Sequence, residues 1–204
     1  MKSPPIERAN PFLADISREI PPGKPISLRN IVEAYWRSFG LKALLAYRLG
    51  RWLLAAGRRW YCWPLLPPGW LLYLVVHCYA RVCFDIHLSL SARIGAGLHI
   101  AHFGNILVRD CQLGVGCSIR QSVRIERGNA ATGPVIGDGV WFGAHAVVVG
   151  PYAIGAGSTV AAGAVVERDL PPRCLCIGNP GRILSRNYDN ANYPYMPYEA
   201  YLDR

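Results

Sequence analysis

An apolar residue recurs at every sixth position between Leu88 and Val166. Leu88, Ile94, Ile100 and Ile106 open the series. One inserted residue separates them from Leu113, Ile119 and Ile125, and after an interruption Ile136, Phe142, Val148, Ile154, Val160 and Val166 close it. A helix repeats at about 3.6 residues and a strand at about 2, so neither accounts for a period of six. A parallel β-helix does, with one short strand and one turn per hexad and the apolar side chain pointing into a narrow core. Small residues often follow the apolar one, as at Gly95, Gly114, Gly137, Gly143, Gly155 and Ala161, where they let the chain bend. The stretch between Ile125 and Ile136, ERGNAATGPV, is too long for a hexad and reads as a loop leaving the coil, a place where function concentrates on rigid scaffolds.

Ahead of the repeat the pattern turns helical. A lead-in over residues 1–27, with Pro4, Pro5, Pro11, Pro21, Pro22 and Pro25, leaves room for one short helix from Phe12 to Ile20. From Leu28 to Trp60, Ile31, Ala34, Tyr35, Leu41, Leu44, Leu45, Leu49, Trp52 and Leu53 stand mostly three or four apart, which predicts helix. Ser27 is the expected N-cap and Gly40 the expected break into two helices. Arg48, Arg51, Arg58 and Arg59 read as a solvated helix face. A further helix is expected from Gly69 to Phe84, and its apolar run Trp70–Val76 is far short of the roughly 20 residues that span a bilayer. That helix either packs on other helices or another subunit, or lies on a membrane surface, with Trp60, Trp63 and Trp70 and nearby arginines at its flank. After Val166 the period ends; Arg173–Leu184 reads as a closing strand or cap, and the tail from Ser185 is polar-aromatic and non-periodic. The expected division is therefore 1–84 lead-in and helices, 85–184 β-helix, and 185–204 tail.

Composition narrows the partners. The chain has 204 residues, 51% of them hydrophobic and 17% charged, which is enough to build a core. With 22 Lys and Arg against 13 Asp and Glu, the net charge of +9 favours phosphates, acidic glycans or an anionic membrane surface. Nucleic acid is not expected, because the arginines are scattered and no zinc-finger spacing, RNP motif or basic helix occurs. Seven cysteines, an odd number without a CxxC, read as free thiols in a reducing cytosol. Met1–Pro25 has no apolar core of a signal peptide, so a cytoplasmic protein is expected, with the inner face of the membrane as a variant of that reading.

The segments IGAGLHIAHFGNILV, QSVRI, PVIGDGVWFGAHAVVVG, AIGAGSTVAAGAVV and DLPPRCLCIGNPGRIL closely resemble the hexapeptide-repeat acyltransferases, most of all the serine acetyltransferase branch and its relatives in polysaccharide biosynthesis. The resemblance is strong over 86–184 and weak over 28–84. It implies a mainly β protein, a left-handed parallel β-helix of hexapeptide repeats behind a small α-helical N-terminal region. It also implies a homotrimer, with a dimer of trimers through the N-terminal helices as a further assembly, and an acetyl-CoA donor held between coils.

His102 resembles the family's catalytic histidine, although the glycine that follows comes one place sooner. Imidazole suits a general base, since its unperturbed pKa lies near 6.5. The serine enzymes place an aspartate fifteen residues before that histidine; the same count here reaches His87, with Asp85 or a backbone carbonyl as other candidates for orienting His102. Gln121 occupies the hexad position of His102 one coil later, either contacting substrate or forming an amide ladder. His145 reads as a coil corner, His99 as a surface or pocket-shaping residue, and His77 as a core or interface residue. No metal spacing occurs, so none is predicted.

For the donor, the resemblance points to Gly143, Ala144, Ala162 and Gly163 along the later coils, then Gly178, Pro180 and Arg182 in the closing segment. Arg168 and Arg173 are further phosphate partners, since guanidinium pairs well with phosphate. For the acceptor, the family's Asp-Pro pair has no match in the helical region, and its Arg-His-Pro run is replaced by Ala131-Thr132-Gly133-Pro134. Loss of both charged contacts favours a sugar hydroxyl in polysaccharide biosynthesis over free serine. Serine O-acetylation is the alternative, and a β-helix scaffold or binding protein without chemistry is the third reading. The slip after Ile106 and the loop Glu126–Val135 are expected to bracket the coils where the acceptor enters.

Overall fold

The computed structural model describes residues 10–21, 24–57 and 66–190. Four helices come first: α1 (Pro11–Glu19), α2 (Leu28–Arg37), α3 (Phe39–Ala56) and α4 (Leu66–Phe84). Short strands then fall in rotation on three sheets. The first stacks β1 (Ile86–Leu88), β4 (Ile106–Val108), β7 (Arg124–Glu126), β10 (Val147–Val149) and β13 (Val165–Val166). The second stacks β2 (Arg93–Ile94), β5 (Gln112–Leu113), β8 (Val135–Ile136) and β11 (Ala153–Ile154). The third holds β3 (His99–Ile100), β6 (Ser118–Ile119), β9 (Trp141–Phe142), β12 (Thr159–Val160), β14 (Cys174–Ile177) and β15 (Arg182–Arg186). Every pairing is parallel except β14 with β15, which folds back and closes the coil. This is the parallel β-helix expected from the hexads, in the left-handed form that the family resemblance implies.

All thirteen periodic apolar residues are buried. A second interior column stands two residues before many of them and escaped the period-six reading because it mixes small and large side chains. It contains Ala92, Leu98, Cys111, Cys117, Val123, Val140, Ala146, Ser158 and Ala164. Cys111, Cys117, Cys174 and Cys176 are thus free thiols used as core filler, and burial pushes the Cys111 and Cys117 thiols up to about 12. Cys62 lies outside the described residues.

The register corrects the slip. Val108, not Ile106, pairs with Ile125 and with Leu88, so Ile106 belongs to the second column. Ile100 pairs with Ile119. The step from Ile100 to Val108 therefore covers eight residues where the next coil, from Ile119 to Ile125, covers six. The extra length lies at the corner that carries His102, and a five-residue step from Val108 to Leu113 takes up part of it.

The helices form nearly where the spacing places them, and Ser27 caps α2 by accepting from the Asn30 amide. The break between α2 and α3 falls at Ser38, not Gly40: Ser38 ends α2 in an extended conformation and caps α3 through the Leu41 amide. Gly40 lies inside α3, where an added Cβ would stand 2.5 Å from the Cβ and carbonyl oxygen of Ile100. The glycine lets α3 start directly against β3. Arg48 is a second correction. It is buried, not solvated, and binds Asp15 together with the carbonyls of Ile94 and Gly95. Arg58 and Arg59 lie outside the described residues.

Candidate active site

His102 sits at the expanded corner between β3 and β4, in a cavity of about 230 Å³. The cavity is walled on the coil side by Ala101, His102 and Phe103, and on the helix side by Glu19, Arg37, Ser38, Phe39 and Gly40. Two local features bring the helices here. Gly40 admits the close approach of α3, and Ser38 turns the chain so that Phe39 packs on Phe103 with ring centroids 5.1 Å apart. Helix α1 is fastened by Asp15, a fully buried carboxylate that accepts from Arg48 and from the amides of Gly97 and Leu98. Burial raises the Asp15 pKa, while Arg48 and the two amides pull it back.

The end of α1 contributes what the sequence reading missed. Glu19 Oε1 lies 2.8 Å from His99 Nδ1, and Arg37 Nη2 donates to the Glu19 carbonyl oxygen at 3.0 Å. A carboxylate and a guanidinium therefore share the wall of the His102 cavity. Their only sequence signal is an acidic residue ending a short helix and a basic one ending the next, too common a pattern to single out. The His102 pKa is lowered, first by burial and then by the positive charges of Arg120 and His99. A neutral imidazole is the form held near neutrality, as a proton acceptor requires.

His87 is not beside His102. It lies on β1, level with Leu107 of β4, and its Nε2 is 3.2 Å from Asp85 Oδ1. Together with His77, Arg81 and Arg109 it lines a separate hollow of about 210 Å³. The family count of fifteen goes astray because the coil from β1 to β4 takes twenty residues here. The carboxylate nearest in kind to an orienting group is Glu19, and it acts on His99. His77 stacks on Tyr73 at 5.1 Å within the helical layer, and burial lowers its pKa.

The remaining expected residues fall mostly on the His102 edge. Carrying the register two residues past each strand puts Gln121, Ala144, Ala162 and Gly178 at the step that His102 occupies. Gly143 and Gly163 flank them. Gln121 Oε1 has no hydrogen-bond partner among the described residues, although it is shielded from solvent. At Gly143 a Cβ would stand 2.4 Å from the Ala162 amide nitrogen, so close coil stacking by itself demands that glycine. His145 takes a left-handed corner conformation, φ 62°. Gly178, Pro180 and Arg182 line a cavity of about 460 Å³ at the end of the coil. Arg168 follows β13 on the next face and is not part of that lining.

The loop between β7 and β8 leaves from the corner of the first and second sheets, one corner away from His102. It does not bracket the His102 cavity within the chain. Thr132 and Gly133 instead line a hollow of about 530 Å³ with Arg93, Asp110 and Arg127. Among the described residues no group of three or more His, Cys, Asp or Glu could hold a metal ion.

No family model matches the chain. Among curated proteins it is similar to the serine acetyltransferase of Escherichia coli, 32% identical over 168 residues that cover 80% of this chain and 57% of that protein. The chain spans about half the length of the curated relatives it matches. Among solved structures, the serine acetyltransferase of Brucella abortus superposes with a TM-score of 0.67 at 26% identity, covering 86% of this chain and 68% of that one. Soybean serine acetyltransferase complexed with serine gives 0.67 at 28% identity, covering 85% and 68%. The comparisons support serine acetyltransferases over the polysaccharide branch that the missing acceptor motifs had favoured. In sequence and in fold alike, the chain is thus similar to the serine acetyltransferases and carries the hexapeptide-repeat β-helix of that acyltransferase family.

Proposed function

We propose that the protein transfers an acetyl group from acetyl-CoA to the hydroxyl of serine or a closely related small amino acid, with His102 as general base. One observation carries the choice of acceptor: Glu19 and Arg37 stand in the wall of the same small cavity as His102. A zwitterion offers an ammonium for the first and a carboxylate for the second, charge-assisted contacts that replace the absent family motifs. A cavity of about 230 Å³ also suits one small acceptor better than a polymer. Serine is moreover the acceptor named for the relatives.

In the proposed reaction a ring nitrogen of neutral His102 takes the hydroxyl proton as the oxygen bonds to the acyl carbon. The carbon–sulfur bond then breaks, and the proton passes to the CoA thiolate. The edge that runs from His102 past Gln121, Ala144 and Ala162 to Gly178 rises by about 4.8 Å per coil, some 19 Å in all. Lined by methyl groups and backbone, it suits the thin pantetheine arm, and Arg182 beside Gly178 suits its phosphates.

A sugar hydroxyl remains a second reading, favoured by the half-exposed ring of Phe103 next to His102, which offers a face for a sugar to stack on. Thiol release from acetyl-CoA, measured with L-serine against a panel of sugars and oligosaccharides, separates the two. Turnover with L-serine is expected. Turnover with a sugar and none with serine would replace the proposal by the second reading. Arg37→Gln should lower kcat/KM for L-serine by about 10- to 100-fold, the worth of a hydrogen bond to a charged group. It should leave turnover of L-serinamide, which lacks the carboxylate, nearly unchanged.

A further inference from the structure

Helix α4 is apolar on two opposite sides. Its inner side packs on α3: Gly69 lies against Leu53, Tyr73 against Gly50, and Ala80 and Phe84 are buried. Its outer side exposes Leu71, Leu72, Leu74, Val75, Tyr79 and Val82, the last at 84%. Leu71, Val75, Cys78 and Val82 recur at three- and four-residue spacing and form one stripe along it. A helix apolar all round belongs either inside a protein or against lipid. No described helix is long and apolar enough to cross a membrane.

Charge decides what covers this face. Neither α3 nor α4 contains an Asp or Glu, and both Arg51 and Arg81 are exposed. Arg81 stands two turns beyond Leu74 and so flanks the outer face, and a second copy of α4 laid on it would offer that guanidinium no carboxylate. Anionic headgroups would neutralise it, and the net charge of +9 acts in the same direction. We propose that the outer face of α4 docks on the surface of an anionic phospholipid membrane, lying in the interfacial plane with its apolar stripe among the acyl chains. Phe84, at the end of α4, touches Phe39 at 4.8 Å between ring centroids, and Phe39 walls the His102 cavity. Docking would therefore hold the candidate site next to the membrane surface.

The native thiols report on this directly, because Cys78 and Cys83 are exposed on α4 while Cys111, Cys117, Cys174 and Cys176 are buried. The purified full chain is treated with a water-soluble maleimide, with and without vesicles of phosphatidylcholine containing phosphatidylglycerol, and labelled peptides are read by mass spectrometry. Labelling of Cys78 and Cys83 without vesicles, and protection of about tenfold or more with phosphatidylglycerol vesicles, is expected, with protection reduced at high salt. Protection without any vesicle would mean that another copy covers the face, and it would overturn the proposal. Equal labelling in both conditions would overturn it as well. A Leu71→Gln, Val75→Asn, Val82→Gln variant should keep the wild-type circular dichroism spectrum and the thiol-release rate with soluble acceptor, yet no longer sediment with the vesicles. Undiminished sedimentation of that variant would place the lipid contact elsewhere and sink the assignment to α4.

Discussion

His102 combines two properties that a base at neutral pH requires, an accessible ring and a depressed pKa. The ring is exposed at its widened corner, and burial of its surroundings with the charges of Arg120 and His99 lowers the pKa. Since the neutral form dominates above the pKa, a lowered pKa moves the acidic limb of the kcat/KM profile downward. That limb is expected below pH 6.5, the ordinary histidine value, and a midpoint at or above 6.5 would contradict the assigned environment. His102→Ala should reduce kcat by roughly 10²-fold or more with the fold unchanged by circular dichroism. A residual rate above about a tenth of wild type would give the role of base to another residue, with His99 and its Glu19 partner first in line. His102 was legible in the chain because its neighbours in sequence are also its neighbours on the coil. Glu19 was not, because it reaches the site through the docking of α1.

That docking is the element-scale event on which the site depends. Asp15 is fully buried and holds Arg48 and two coil amides at once, so it fixes the position of α1 relative to the first coil. Asp15→Ala would leave Arg48 buried without its counter-charge, and such a loss typically costs about 3–5 kcal/mol. A fall of that size in unfolding free energy by urea titration is expected; a loss under about 1 kcal/mol would mean that the pair is not what holds α1. Gly40 makes the complementary point. Read as a helix breaker, it proved to be a packing residue, since only the position of Ile100 shows what a side chain there would strike. Gly40→Ala should push α3 from β3 and raise KM for the acceptor more than for acetyl-CoA, a split that steady-state kinetics with each substrate varied would show.

At the scale of the molecule, the β-helix is a rigid post with the candidate site at one edge and a helical cap over its first coil. The homotrimer that the family resemblance implies would place three such edges in one particle, and a mass of three chains by light scattering is the expected result; one or two chains would rule it out. The chain by itself determined the period, one of the two inward columns and the edge that carries His102. Each hexad is a local pattern whose neighbours repeat it, so the register follows from counting. Even there the count put Ile106 in the column of Ile125, where Val108 stands, although both side chains are buried, because only strand pairing shows where a widened corner absorbs residues. Tertiary structure alone decided the rest: that His87 faces a different hollow, that Glu19 and Arg37 stand beside His102, and that α4 keeps an apolar face to the outside. The Arg48–Asp15 and His99–Glu19 contacts join residues 33 and 80 positions apart. No local periodicity carries such a separation, because it is set by how one element packs on another.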